Sequence, residues 1–225
     1  MRKNIDVVIA PGGVGGWYSP FLYRYQIRKF VRRGGGFYGI CGDSTFGSLG
    51  LKRFNIRYNS LIDVMLGREE LSPMLGLANV YTDASVLHYI FEHPKILPKL
   101  DMIQFLSRLP TLRGRIFFNR GTLPVQETYM GKSIWVMLGN TPPIDGSALL
   151  GQFMPKVYTI ASFRQPDDPY DNTIKFKKAI IATTYGQGLV ILSPIHAEFT
   201  FGNPRARDVY IRDALWLAGK DLTEN

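Results

Sequence analysis

Residues 6–42 read as strand, glycine turn, helix, glycine stop and second strand, an order that leaves the chain few ways to fold. Asp6–Ala10 is a β-branched apolar run that ends at Pro11-Gly12-Gly13. A strand buried on both faces and feeding a turn has this pattern. Ser19-Pro20 then supplies a serine cap and a proline at the first helical position. Leu22, Tyr25, Ile27, Phe30 and Val31 carry the helix to its stop at Gly34-Gly35-Gly36, and a second apolar run follows over Gly36–Ile40. Two strands joined through a helix lie parallel with a right-handed crossover, so at least part of the sheet is expected to be parallel.

Beyond this unit the apolar runs predict strands at 115–118, 133–138, 156–163, 179–183 and 188–193. A last helix is predicted from the Asn203-Pro204 cap to Gly219. Arg164–Asn172, with two prolines and three aspartates, reads as an exposed loop. Between 54 and 110, Val86–Phe91 and Met102–Leu109 have helical character, but prolines at 73, 94, 98 and 110 interrupt the pattern.

A chain of 225 residues fits one domain, and 45% hydrophobic with 20% charged residues is enough for a real core. The single cysteine excludes an internal disulfide, and the apolar run Ile5–Ala10 is too short for a signal peptide or a membrane span. A cytoplasmic protein with no membrane association is expected. The net charge is +9, with Arg24, Arg28 and Arg32 at helical spacing, Lys29 and Arg33 beside them, and Lys52, Arg53 and Arg57 further on. No nucleic-acid motif accompanies these residues and they are spread along the chain. They read as a solvated face rather than a nucleic-acid surface.

In a parallel α/β sheet, ligands sit beyond the carboxyl ends of the strands. Three strands end in suggestive chemistry: Pro11-Gly12-Gly13, Cys41-Gly42 and His196-Ala197-Glu198. Cys41 stands where a strand turns sharply toward a helix, the thiol counterpart of a nucleophile elbow, and a helix N-terminus favours thiolate. His196 would take the proton and Glu198 would orient the imidazole, while the N–H groups of Gly13 and Gly42 would stabilise an oxyanion. Gly12, Tyr18 and Asp43 would line the pocket. Each piece has a plainer reading: an inert buried thiol, a structural histidine, a surface carboxylate, an ordinary turn. Gly13-Val14-Gly15-Gly16-Trp17-Tyr18 lacks the last glycine of a dinucleotide fingerprint, and no Gly-Lys-Ser/Thr is present. His88 and His93 lie near Glu92, but no cysteine or carboxylate pattern completes a metal site, so neither metal nor cofactor is expected.

Taken together, Asp6–Gly13, Ile27–Gly36, Gly39–Gly42 and Tyr185–Phe199 resemble the class I glutamine amidotransferase-like superfamily. Within it the likeness is to the domain at the N-terminus of eukaryotic biotin–protein ligases, also carried by stand-alone microbial proteins. Phe117–Gly121 and the Lys178–Thr184 strand before the Gly-Gln-Gly turn fit that subgroup. The resemblance runs from Asp6 to Gly219 and leaves 50–110 unmatched, as a family-specific insertion within one domain spanning 1–225. It implies a flavodoxin-like, three-layer α/β sandwich with a mostly parallel sheet. It also implies a Cys41-His196-Glu198 triad with Gly13 and Gly42 at the oxyanion positions.

The chain departs from the family in three places. Asp43 stands where a glycine is usual, and a carboxylate so near the sulfur opposes thiolate formation. Thr45 stands where glutamine is usual, and Ile-His-Ala-Glu replaces Pro-His-Pro-Glu. The strand–helix–strand portion that normally precedes Pro-Gly-Gly is short or missing: either the start is truncated, or the sheet is completed otherwise, by a second copy or a partner chain. Two functions follow. One is a cysteine hydrolase or amidotransferase-like enzyme acting on an amide-type C–N bond of a small molecule. The other is a binding or regulatory module with a vestigial triad.

Overall fold

The structure is a computed structural model that describes residues 5–13, 16, 19–50, 74–83, 113–118, 128–137, 143–147, 154–166 and 176–220. The helical stretches expected at 86–91 and 102–109, the histidines at 88 and 93, Lys52, Arg53, Arg57 and Tyr18 lie outside the described residues.

The opening unit forms as expected. β1 (Val7–Ala10), α1 (Phe21–Arg32) and β2 (Gly36–Ile40) follow one another, and β1 pairs β2 in parallel. The start of α1 falls one residue later than the serine–proline signal predicts. Pro20 occupies the cap position with no side-chain cap, and the Ser19 hydroxyl is buried without a partner. α2 (Gly42–Gly47) follows β2 directly.

Next come β3 (Val80–Thr82), β4 (Arg113–Phe118), β5 (Ser133–Met137), β6 (Ile144–Ser147), β7 (Tyr158–Pro166), β8 (Lys178–Tyr185) and β9 (Gly188–Ser193). α3 (Pro204–Leu217) closes the order, capped as predicted by Asn203, whose side chain accepts from the Arg205 N–H. β7 runs on to Pro166, so the first residues of the expected 164–172 loop are strand instead.

The sheet order is β1-β2-β9-β8-β7-β4-β5, with β6 joined to β8 and β3 to β6. Among the described residues, only β1–β2 and β2–β9 are parallel. β8–β9, β7–β8, β4–β7, β4–β5, β6–β8 and β3–β6 are all antiparallel. The mostly parallel, flavodoxin-like three-layer sandwich implied by the resemblance is therefore not the fold. The sheet is mixed and dominated by antiparallel pairs. The cause is visible at the β8–β9 turn, where Tyr185 pairs with Gly188 across Gly186 and Gln187. A two-residue turn can only reverse the chain, whereas parallel neighbours need a crossover of a dozen residues or more. Gly186 supplies the positive φ of +61°.

At the parallel end both sheet faces are covered. Phe37, Val190 and Leu192 pack with Ile27 and Val31 of α1 and Phe46 of α2. Tyr38, Ile40 and Ile191 pack on the other side with Ala206, Val209 and Leu217 of α3. Alternate residues of one strand thus enter different cores, and for that reason β2 and β9 are apolar throughout rather than alternating. Among the described residues, no helix is long and apolar enough to cross a membrane.

Candidate active site

Because β2 lies between β1 and β9 in parallel, the carboxyl ends of all three strands sit side by side. Ala10 pairs with Gly39, and Ile40 with Ser193. The Cys41 N–H continues that register by donating to the Ser193 carbonyl at 3.0 Å. The chain then breaks direction at once: Cys41 has φ 50° and ψ −125°, between the end of β2 and the start of α2. Non-glycine residues rarely occupy positive φ, and such strain costs on the order of 1–3 kcal/mol. It persists because Ser44 anchors the Cys41 carbonyl twice, through its N–H at 3.0 Å and its hydroxyl at 2.6 Å.

The His196 Nδ1 and the Glu198 Oε1 are 2.7 Å apart, and the imidazole also hydrogen-bonds the Cys41 sulfur. Burial disfavours the imidazolium, but the bonds to Cys41 and Glu198 outweigh it and hold the His196 pKa up at about 10. The histidine loop is fixed from β5. The His196 N–H donates to the Met137 carbonyl at 2.8 Å, and the Met137 N–H donates to the Thr200 hydroxyl at 3.0 Å. That hydroxyl in turn donates to the His196 carbonyl at 2.7 Å, and the Asn203 amide donates to the Trp135 carbonyl. Phe199 lies tilted against the imidazole with ring centres 5.8 Å apart.

The Pro-Gly-Gly turn closes over these groups. A Cβ on Gly12 would stand 2.9 Å from Cys41 Cβ and 3.5 Å from His196 Cε1, so glycine is required between thiol and imidazole. Gly12 and Gly13 also take φ of +113° and +87°. Gly42 packs against the Gly13 carbonyl, and a Cβ there would approach that oxygen to 2.0 Å. A Cβ on Gly13 itself would meet nothing within 4 Å. The structure thus brings Gly12, Gly13, Cys41, Gly42, His196 and Glu198 together, while Tyr18 lies outside the described residues.

Asp43 reaches the site through the glycine turn. It is 4% exposed, and its Oδ2 accepts the Gly12 N–H at 3.1 Å. It buttresses the glycine turn. Burial raises its pKa, against the opposing pull of the Gly12 and Gly16 N–H groups. A raised carboxylate stabilises the fold at pH below its unfolded value and loses that contribution as pH rises through the folded value. Asp43→Asn is therefore expected to raise the urea midpoint at pH 7 and to lose that advantage by pH 4. Asp43→Ala leaves the Gly12 N–H without its acceptor and is expected to cost about 1–3 kcal/mol. A destabilised Asn variant at pH 7 would contradict the buttress role.

Thr200 carries no signal in the sequence, and Asn203 reads there only as a helix cap, yet the two hold the histidine loop to Met137 and Trp135 of β5. The phenols of Tyr38 and Tyr210 were missed as well. They stack at 5.7 Å, and the Tyr38 hydroxyl donates to Asp213 Oδ2 at 2.8 Å. Burial first, then Asp213, raises the Tyr38 pKa well above its ordinary value; burial first, then Glu198, raises that of Tyr210. Only Asn203 carried a local signal, its place before a proline. Among the described residues, no three histidine, cysteine or carboxylate side chains are grouped to hold a metal ion.

No family model and no curated protein matches the chain. Among solved structures, a cytoplasmic protein, STM1381 from Salmonella typhimurium LT2, is similar at TM-score 0.46 and 9% identity. The match covers 95% of this chain and 70% of that one. A β-galactosidase from Rahnella sp. R3 is similar at TM-score 0.46 and 11% identity, over 94% of this chain and 22% of that one. A β-galactosidase from Bacillus circulans sp. alkalophilus gives 0.45 and 13%, over 98% and 24%. At these scores the likenesses assign neither fold nor activity.

Proposed function

We propose that the protein is a cysteine-dependent hydrolase or amidotransferase-like enzyme that cleaves an amide-type C–N bond of a small molecule. The observation that supports this reading is the continuous chain Cys41–His196–Glu198, with a 2.7 Å contact at its carboxylate end and a backbone elbow at its sulfur end. Cys41 sulfur attacks the carbonyl carbon, and the N–H groups of the Gly13–Gly42 region stabilise the oxyanion. His196 delivers its proton to the departing nitrogen, so an amine or ammonia leaves and a thioester remains. Water, deprotonated by His196, then attacks the thioester, releasing the acid and restoring the thiol. Glu198 holds the imidazole orientation throughout. Kinship with the glutamine amidotransferase-like superfamily and its biotin-ligase-associated branch belongs to the same proposal, and rests on these strand ends rather than on the sheet.

Thr45 bears on the substrate. It is fully buried and hydrogen-bonded to the Thr82 hydroxyl at 2.8 Å, so it cannot take over the role of the family's glutamine-contacting residue. The reading therefore favours an amide other than glutamine. A free thiol that must stay reduced suits the cytoplasm. β1 ends the described sheet with Ile5 and Ile9 exposed, and a second copy pairing there would complete it.

A panel of small amides, assayed for released ammonia or amine, tests the activity. Wild type is expected to turn over at least one, and Cys41→Ala to lose about a thousandfold or more of that rate. Release that survives Cys41→Ala would remove the thiol from the mechanism. Failure across the panel, with an unreactive Cys41, would favour the regulatory module.

A further inference from the structure

The solvated basic face expected on α1 is exposed at Arg32, half-buried at Arg24 and buried at Arg28. Arg28 is 4% exposed, and its Nη1 donates to the carbonyls of Met74 at 3.2 Å and Leu75 at 3.4 Å. Its Nη2 is buried with no hydrogen-bond partner. Arg24, one turn earlier and partly buried, donates through Nη1 to the Ser19 carbonyl, while its Nε is likewise buried and unpartnered. Among the described residues, neither guanidinium is paired with a carboxylate.

Among the described residues nothing offsets the cost of this arrangement. A guanidinium keeps its charge across the whole pH range of folded proteins, and removing one from water without a counter-charge costs several kcal/mol. Like charges four residues apart on a helix repel as well. Burial, followed by the neighbouring Arg28 charge, lowers the Arg24 pKa, the mark of a cation lacking its anion. Clamping residues 74 and 75 does not explain the pair. Of the two, Arg28 donates to those carbonyls, while Arg24 donates to Ser19 instead.

We propose that Arg24 and Arg28 together form a binding site for an oxyanion, a carboxylate or phosphate group of a ligand. Two guanidinium groups one helical turn apart, each with a buried N–H that has no hydrogen-bond partner, match the bidentate demand of such a group, which would supply a counter-charge that no described residue provides. The site borders α2, the helix that Cys41 opens. Gly16, whose carbonyl accepts from Ser19, lies against Asp43 and Phe46, and the Phe46 carbonyl accepts the Leu75 N–H at 2.7 Å. An acidic ligand there sits on the α1 side of the elbow helix, beside the glycine turn. The site stands on its own geometry and does not depend on the thiol chemistry.

Calorimetric titration of the full chain with inorganic phosphate, and separately with succinate, at constant ionic strength tests the proposal. Saturable one-to-one binding of at least one anion is expected, weakened about tenfold or more by Arg24→Gln. Phosphate binding alone assigns a phosphoryl group, and succinate binding alone a carboxylate. Arg33→Gln, at the far, exposed end of α1, is expected to leave the titration unchanged, as is Cys41→Ala. Because Arg24 is partly exposed, its variant decides the matter even where Arg28→Met fails to fold. No saturable heat with either anion, or equal binding by wild type and Arg24→Gln, overturns the site. Loss of binding in Cys41→Ala would place the anion at the thiol–imidazole pair instead and overturn it too.

Discussion

Iodoacetamide is expected to alkylate Cys41 at pH 6.5 about tenfold to a hundredfold faster than it alkylates a free cysteine. At that pH an ordinary thiol, with a pKa of about 8.5, is about 1% thiolate. An imidazolium hydrogen-bonded to the sulfur stabilises negative charge there. The gain falls short of the full hundredfold because a stabilised thiolate is a weaker nucleophile and because Cys41 is only 9% exposed. The sign of the pH dependence follows from His196. Its pKa is raised to about 10, so the cation persists through the neutral range and is lost as pH climbs through about 10. The stability contributed by that proton is complete below the unfolded value of about 6.5 and gone once pH passes the folded value. His196→Ala is expected to return the alkylation rate to that of free thiol. Glu198→Gln is expected to fall between the two, because the ring keeps a hydrogen-bond partner but loses its carboxylate. A rate centred on pH 8.5 and indifferent to His196 would sink the ion pair and, with it, the support for a nucleophilic Cys41.

Gly42→Ala is expected to be the most damaging small substitution at the site. Its Cβ would stand 2.0 Å from the Gly13 oxygen and 2.9 Å from the Gly13 carbonyl carbon. Both are backbone atoms, so no side-chain rotation relieves the clash and the 11–13 turn must shift. Gly12 is wedged between Cys41 and His196, so that movement also disturbs the thiol–imidazole contact. A loss of about 3 kcal/mol in urea unfolding is expected, with the alkylation rate at pH 6.5 reduced about tenfold or more. Gly202→Ala is the control. It also has positive φ, +76°, but its Cβ meets nothing within 4 Å. It is expected to cost about 1 kcal/mol and leave alkylation unchanged. A Gly42→Ala protein with wild-type midpoint and reactivity would mean that the glycine turn does not pack on the elbow.

The strand–helix–strand opening and the three chemically suggestive strand ends were legible because their signals are local. Periodicity, a glycine stop and a cap before proline are read within a few residues of one another. Local signals also stop short in two places. The solvated face of α1 holds at Arg32 and Arg33 but not at Arg28, because helical spacing puts Arg24, Arg28 and Arg32 on one side without saying what covers that side. Asp43 follows the sulfur by two residues, and that spacing does not reveal that its carboxylate accepts the Gly12 N–H, a partner thirty-one residues away. The sheet failed for another reason. The resemblance transferred a parallel topology from the strand ends to the whole chain, although Gly186-Gln187 between two apolar runs already required a reversal.

The amino-acid order by itself determined that β1, α1 and β2 form a parallel unit, that Cys41 falls on the turn at its end, and that Asn203 caps α3. Each follows from backbone preferences acting over a turn or two of chain. Tertiary structure alone decided that β9 lies beside β2 and so brings His196 and Glu198 to Cys41, that β5 pins their loop, and that most of the sheet runs antiparallel. Those outcomes depend on which strand edges pair across long separations. Backbone hydrogen bonds are the same for every sequence, so the choice is made by packing in the two cores that flank the sheet.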